Sequence, residues 1–282
     1  MRVDFHKMHG TLNDFVVFHD LGGKFRLTSE HVIRICDRRG GVGADGVIVI
    51  RPSEHADFFM DYINADGSYA EMCGNGIRCL AKYVYDNALS DKTALPVETR
   101  AGVKILQVFP GADGKAERIR VDMGRPVFEP EKIPSTLKSV QVPVIDCPVE
   151  SEGRLFQATL VSMGNPHCVI FVDEDPDPLP SRYGPAIENH ALFPARTNVE
   201  FIRVESPGVL TMRVWERGCG ETLSCGTGAC AAAVAARLKG FSGALARVRL
   251  LGGELGIEWN GNNNHVFMTG TATSVYVGSI TL

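Results

Sequence analysis

Short apolar runs set the rhythm of this chain. Residues 47–50, 58–63, 103–109, 119–123, 155–161, 169–172, 209–215, 248–251 and 255–259 are β-branched or alternating stretches bounded by turn residues, and each predicts a short strand. Only three stretches carry helical spacing. One spans 29–37, with Thr28 or Ser29 as N-cap. A second spans 77–86, with Ile77, Leu80, Ala81 and Val84 on one face. The third spans 229–239 and stops at Gly240, a residue suited to the left-handed position that ends a helix. Residues 231–236 of that helix, alanines and one valine, are apolar on every face, so the helix must be surrounded by protein. Strands wrapped around a buried helix, without regular strand–helix alternation, read as an α+β fold.

Two of the predicted helices follow the same tetrapeptide pattern. Cys73-Gly74-Asn75-Gly76 leads into one and Cys225-Gly226-Thr227-Gly228 into the other. The two cysteines stand 225 − 73 = 152 positions apart. The same offset carries Asn13 to Asn165 and Gly46 to Asn198, each heading an apolar run, and Asn64 to Glu216, each nine residues before its cysteine. One gapless offset serving these landmarks points to an internal duplication of about 150 residues, too long a period for a solenoid. The chain is therefore expected to form two pseudo-symmetric domains, each a mostly antiparallel, curled, barrel-like sheet around a central helix. The proline-rich, non-periodic stretch 124–134 is the expected boundary.

Composition narrows the function. The chain has 282 residues, a net charge of −4 and no basic run of five or more, which argues against nucleic acid and membrane surfaces as partners. The charged, alternating start has no apolar signal core and no stretch approaches a membrane span, so a cytoplasmic location is expected. Eight cysteines without any C-x-x-C pair favour neither a disulfide framework nor a metal site, and no metal is expected.

The repeated turns suggest a chemistry. A helix N-terminus offers unpaired N–H groups and a partial positive charge. A cysteine there is expected to have its thiolate favoured, and glycines let the backbone approach a bound carboxylate closely. Two such termini could hold one carboxylate with a thiol on each side of the adjacent carbon. One sulfur would take the α-proton and the other deliver one to the opposite face, inverting the carbon without a cofactor. Glu216 and His167 are candidates to set the thiols in opposite protonation states. Cys36, Cys147 and Cys168 read as small buried hydrophobes; Asn13, Asn165 and Asn198 could simply be turn or cap residues, though their repeat relation favours the site reading.

On these residues the chain resembles the diaminopimelate epimerases over essentially its whole length. The carriers are Gly10-Thr11-Leu12-Asn13-Asp14-Phe15, the segment 39–46 ending in Asp45-Gly46, Asn64-Ala65-Asp66-Gly67-Ser68, both Cys-Gly-x-Gly turns, Gly164-Asn165-Pro166-His167, Asn198-Val199 and Glu216-Arg217-Gly218-Cys219-Gly220-Glu221-Thr222. The resemblance implies interconversion of LL- and meso-2,6-diaminopimelate for lysine and peptidoglycan precursors, with no cofactor. It implies Cys73 and Cys225 as the acid/base pair, tuned by His167 and Glu216. Gly74, Asn75, Gly226 and Thr227 would hold the reacting carboxylate. Asn13, Asn64, Asn165, Asn198, Glu216 and Arg217 would bind the remaining groups. It further implies domains 1–124 and 125–271, a final strand 272–282 returning to the first domain, and a possible homodimer. Gly46 stands where some members carry glutamine, and Thr271 where proline is usual. The rival readings are a sister racemase of proline, hydroxyproline or histidine, a cysteine hydrolase with His167 as base, and a metal or redox protein. Glu216-Arg217, a cation and an anion side by side for a distal aminocarboxylate, disfavours the first.

Overall fold

The structure, a computed structural model, describes residues 2–138 and 140–281. Residues 1, 139 and 282, two of them ends of the expected first domain, lie outside the described ones. The chain divides into two compact units, Met1–Asp122 with Thr269–Leu282, and Met123–Met268. In chain order the first half supplies β1 (Arg2–Gly10), β2 (Asn13–His19), α1 (Ser29–Cys36), β3 (Gly46–Arg51), β4 (Phe58–Asn64), α2 (Gly74–Asp86), β5 (Ala94–Thr99), β6 (Gly102–Pro110) and β7 (Ala116–Gly124). The second half supplies β8 (Cys147–Ser151), β9 (Arg154–Ser162), β10 (Pro166–Phe171), α3 (Leu179–Glu188), β11 (Asn198–Ser206), β12 (Val209–Glu216), β13 (Gly220–Glu221), α4 (Gly226–Leu238), β14 (Leu245–Leu250), β15 (Gly253–Trp259) and β16 (Val266–Gly270), before β17 (Thr273–Thr281).

The fold is α+β, and the offset of 152 is written into its elements. It maps the start of α2 at Gly74 onto the start of α4 at Gly226, and their ends, Asp86 and Leu238, likewise. It maps the parallel pairing Phe15↔Gly46 of β2 and β3 onto His167↔Asn198 of β10 and β11. In the first unit β17, β1, β2, β3, β4, β5, β6 and β7 pair in that order. In the second, β8, β9, β10, β11, β12, β14 and β15 do the same. The last strand, β17, thus fills in the first unit the place β8 holds in the second. Most neighbours are antiparallel. The parallel ones, β2/β3, β4/β5, β10/β11 and β12/β14, are bridged by α1, α2, α3 and α4 in turn, because a parallel connection needs a long crossover.

Each unit buries one helix inside its curl. α2 touches β1, β2, β3, β4, β6 and β17, and α4 touches β9, β10, β11, β12, β14 and β15. A helix that meets so many strands of one sheet requires the sheet to bend around it. α1 covers the outer face, where Val16, Phe18, Val47 and Val49 pack with Val32 and Ile35. Strands covered on both faces read as unbroken apolar runs, which is why Val47-Ile48-Val49-Ile50 does not alternate. α3 does the same in the second unit through Tyr183 and Ile187. The sequence pattern misses α3: Pro178, Pro180, Gly184 and Pro185 mask its period, and tertiary packing overrides them. It also misses β5 and β8, which contain Pro96 and Pro148.

Candidate functional site

Both repeated cysteines are helix N-caps. Cys73 caps α2 with extended backbone (φ −138°, ψ 118°), and Cys225 caps α4 likewise (φ −123°, ψ 109°). The glycines expected as a turn before each helix form its first turn instead. Gly76 and Gly228 are there because the helix start lies hard against a strand. A Cβ at Gly76 would come within 2.9 Å of Ile48 Cδ1, and one at Gly228 within 2.7 Å of Glu200 Oε1.

Around Cys73 two side-chain amides are locked by charges behind them. The Asn13 Nδ2 donates to Asp45 Oδ2 at 2.7 Å, so its Oδ1 faces the site. That oxygen accepts from Asn75 Nδ2 at 3.3 Å and from the Cys73 thiol at 3.6 Å. Asn75 is fixed by its own Oδ1, which accepts from Arg78 at 2.9 Å and from Thr11 Oγ1 at 3.2 Å. Arg78 is fully buried and also donates to the carbonyls of Gly74 and Thr271, at 3.0 and 3.2 Å. Thr11 and Leu12 form the two-residue β1–β2 turn with φ of 49° and 63°, left-handed values that suit the turn but strain these side chains. The polarity at Cys73 follows. Its thiol donates a hydrogen bond to an oxygen that can only accept, while the Gly76 amide donates to the sulfur at 3.4 Å. Asn64 turns its amide to Ser68 Oγ at 3.0 Å. At Gly46 a Cβ would lie 2.6 Å from the Tyr62 ring, so no side chain fits there.

Around Cys225 the same scaffold carries different groups. His167 Nδ1 lies 2.6 Å from Glu200 Oε1, both fully buried, and His167 Nε2 lies 3.0 Å from Asn165 Oδ1. Asn165 Nδ2 donates to Thr227 Oγ1 at 3.3 Å, and that hydroxyl is 3.6 Å from the Cys225 sulfur. Glu216, at the end of β12, accepts from Thr222 Oγ1 at 2.5 Å. Asn198 donates to the carbonyl of Pro166 at 2.7 Å and accepts from the backbone of Arg217 at 3.0 Å, which fixes the exposed arginine at its root.

The helix terminus does not decide the ionisation of Cys225. Lowering is expected from the helix N-terminus, but burial pushes this thiol well up, with the carboxylates of Glu216 and Glu200 adding to it. The hydrogen bond with Thr227 acts in the opposite direction. Cys225 is 4% exposed, so bulk solvent contributes little to stabilising a thiolate there.

Pattern reading brings out the asparagines, His167, Glu216 and both cysteines, and misses Asp45, Arg78 and Glu200. Glu200 had a signal. It is the one charged residue in the apolar run 199–202, at the repeat position of Ile48. Among the described residues no group of three or more His, Cys, Asp or Glu is arranged to hold a metal ion, and no helix is long and apolar enough to cross a membrane.

Solved structures first give the fold. A hydroxyproline epimerase from Agrobacterium vitis aligns with TM-score 0.70 at 15% identity, over 99% of this chain and 91% of that one. A phenazine biosynthesis protein of the PhzF family from Bacillus anthracis aligns with TM-score 0.69 at 17% identity, over 100% of both chains. The fold is the one these two proteins share. The sequence profile of diaminopimelate epimerase then matches residues 5–129 and 159–275. Proteins named diaminopimelate epimerase from Acetivibrio thermocellus and Leptospira biflexa are 50% and 47% identical, covering 99% of this chain and 98% and 99% of their own lengths. The chain belongs to the diaminopimelate epimerase family, and is an enzyme of the isomerase class.

Proposed function

We propose that this protein interconverts LL- and meso-2,6-diaminopimelate by a two-cysteine acid/base mechanism, without a cofactor. The observation that carries the reading is the pair of matched N-cap cysteines with different hydrogen-bonding surroundings: Cys73 donates to Asn13, and Cys225 lies against the Thr227 hydroxyl. A two-base inversion needs one sulfur protonated and the other ready to accept. A thiolate takes the α-proton and becomes a thiol. The electron pair left on carbon is drawn into the carboxylate, held by N–H groups of the first helical turns. The opposite thiol then protonates the other face and becomes the thiolate. The sulfurs exchange roles with reaction direction.

Gly74, Asn75, Gly226 and Thr227 hold the reacting carboxylate in this reading. Asn13, Asn64, Asn165 and Asn198 bind the remaining polar groups, while Glu216 and Arg217 select the distal aminocarboxylate. An amino acid lacking that end would leave these groups unpaired and be rejected. His167 and Glu216 tune the thiols. Domain limits at 1–124 with 272–282, and at 125–271, a cytoplasmic site of action, a second copy of the chain as partner and a role in lysine and peptidoglycan precursor supply belong to the same reading and rest on the family.

Incubation with LL-diaminopimelate in deuterated water, with no added cofactor, tests it. Epimerisation with deuterium entering at the α-carbon is expected, and proline is expected to exchange none. Cys73→Ala and Cys225→Ala should each abolish the reaction; either variant working at the parent rate would show that the two-base reading is wrong.

A further inference from the structure

We propose that Glu200 is a positioning residue of the reaction, holding His167 at the head of a one-way hydrogen-bond chain that ends on the sulfur of Cys225. This rests on Cys225 being one of the two bases. The chain runs from Glu200 Oε1 through His167 and Asn165 to Thr227 and the sulfur, with links of 2.6, 3.0, 3.3 and 3.6 Å. The Asn165 amide presents its oxygen to His167 and its nitrogen to Thr227. The threonine oxygen therefore accepts from Asn165, and its hydrogen is left for the sulfur.

The direction depends on Nε2 of His167 carrying a hydrogen, and it does so while the buried Glu200–His167 pair holds two protons between its members, the net-neutral arrangement that burial favours. If the carboxylate is ionised and the imidazole charged, both ring nitrogens carry hydrogens. If the proton sits on Glu200, the carboxyl donates to Nδ1 and the neutral ring keeps its hydrogen on Nε2. In both two-proton states the pair presents the same donor to Asn165; loss of one proton would leave an ionised Glu200 accepting from Nδ1–H and Nε2 bare. Without Glu200 a neutral ring could place its hydrogen on Nδ1 and reverse the chain.

The fold itself does not call for this pair. A buried ion pair is weak support for stability, since well-packed apolar residues serve as well. The other half of the chain contains that apolar solution. Subtracting 152 turns His167 into Phe15 and Glu200 into Ile48, and both lie against Gly76 as Glu200 lies against Gly228. The second oxygen of Glu200 is buried without a hydrogen-bond partner, a cost that packing alone would not retain. Burial pushes the Glu200 carboxyl up, against the pull of His167. The other titratable groups facing it are Glu216 from β12, Cys225 from the α4 N-cap and Cys168 from β10. Its cross-strand neighbour on β12 is the apolar Val214.

Two variants of the full-length enzyme test the role. Glu200→Gln keeps the shape but no longer fixes the ring's hydrogens. It is expected to lower kcat at least ~10-fold with KM within about threefold, to displace the pH profile of kcat, and to change the protonation of His167 seen by 15N NMR. Glu200→Ile with His167→Phe copies the other half and is expected to fold and melt near the parent. A Glu200→Gln enzyme with the parent's kcat, pH profile and His167 signals would overturn the proposal. So would failure of the double variant to fold, because the pair would then be structural. Failure of the underlying reading shows separately, as parent enzyme that incorporates no solvent deuterium or stays active without Cys225.

Discussion

Removing the Arg78 side chain should cost the first unit more than any other single truncation near Cys73. The guanidinium is fully buried, and its hydrogen bonds include those to the carbonyls of Gly74 and Thr271, to Asn75 Oδ1 and to Thr11 Oγ1. Bonds from a charged donor are worth about 1.5–3 kcal/mol each, but the desolvation of the cation offsets much of their sum. Truncation leaves the acceptors buried, at about 1–3 kcal/mol for each that stays unsatisfied, and adds a cavity. A net loss of about 4 kcal/mol for Arg78→Ala is the central expectation. At roughly 2–4 °C per kcal/mol for a unit of this size, Tm should fall on the order of 10 °C. Arg78→Met separates packing from polarity, because it restores volume but none of the bonds. Its loss should stay within about 1 kcal/mol of the alanine variant if the polar contacts dominate. Both are read by denaturant and thermal unfolding. At permissive temperature, substrate KM should rise in both, since Asn75 is no longer held with its nitrogen towards Asn13. Arg78→Met unfolding within about 1 kcal/mol of the parent would refute the reasoning.

Acid should destabilise the cluster behind Asn13. Asp14 is largely buried, which alone would raise its pKa, but hydrogen bonds from Arg38 and Lys7 outweigh this and bring it down to about 2. A carboxyl depressed in the folded state adds stability above its unfolded value of 3.8 and loses it as pH falls towards 2. The amount is on the order of 2 kcal/mol. The stability gap between parent and Asp14→Asn should therefore shrink by about that much from pH 5 to pH 2 in unfolding titrations; parallel curves would contradict it. The two N-cap thiols should also differ in reactivity. Cys225 is buried and its pKa raised, whereas Cys73 is half-buried. Iodoacetamide at neutral pH should modify Cys73 well before Cys225 in peptide mass maps of the substrate-free enzyme, and equal rates would tell against that difference.

Much of this protein is determined by local pattern. The periods of the strands, the all-apolar face of α4 and the gapless offset of 152 are properties of neighbouring residues, so the chain alone yields an α+β fold, the duplication and both cysteines. The same offset even marks where the halves differ: Asn75 against Thr227, Ile48 against Glu200, Phe15 against His167. Only the tertiary structure decides what those differences mean. α3 is a helix because Tyr183 and Ile187 find a core, in spite of three prolines in or beside it. Arg78 and Glu200 look like surface residues by type. They are buried because α2 and α4 lie inside curled sheets, where Arg78 gathers acceptors brought from Thr11, Gly74, Asn75 and Thr271. The expectation for Cys225 changes for the same reason. A helix N-terminus favours a thiolate through a local field, but burial and two carboxylates supplied by β11 and β12 act through space. Desolvation depends on everything packed around a group, and no stretch of sequence carries that.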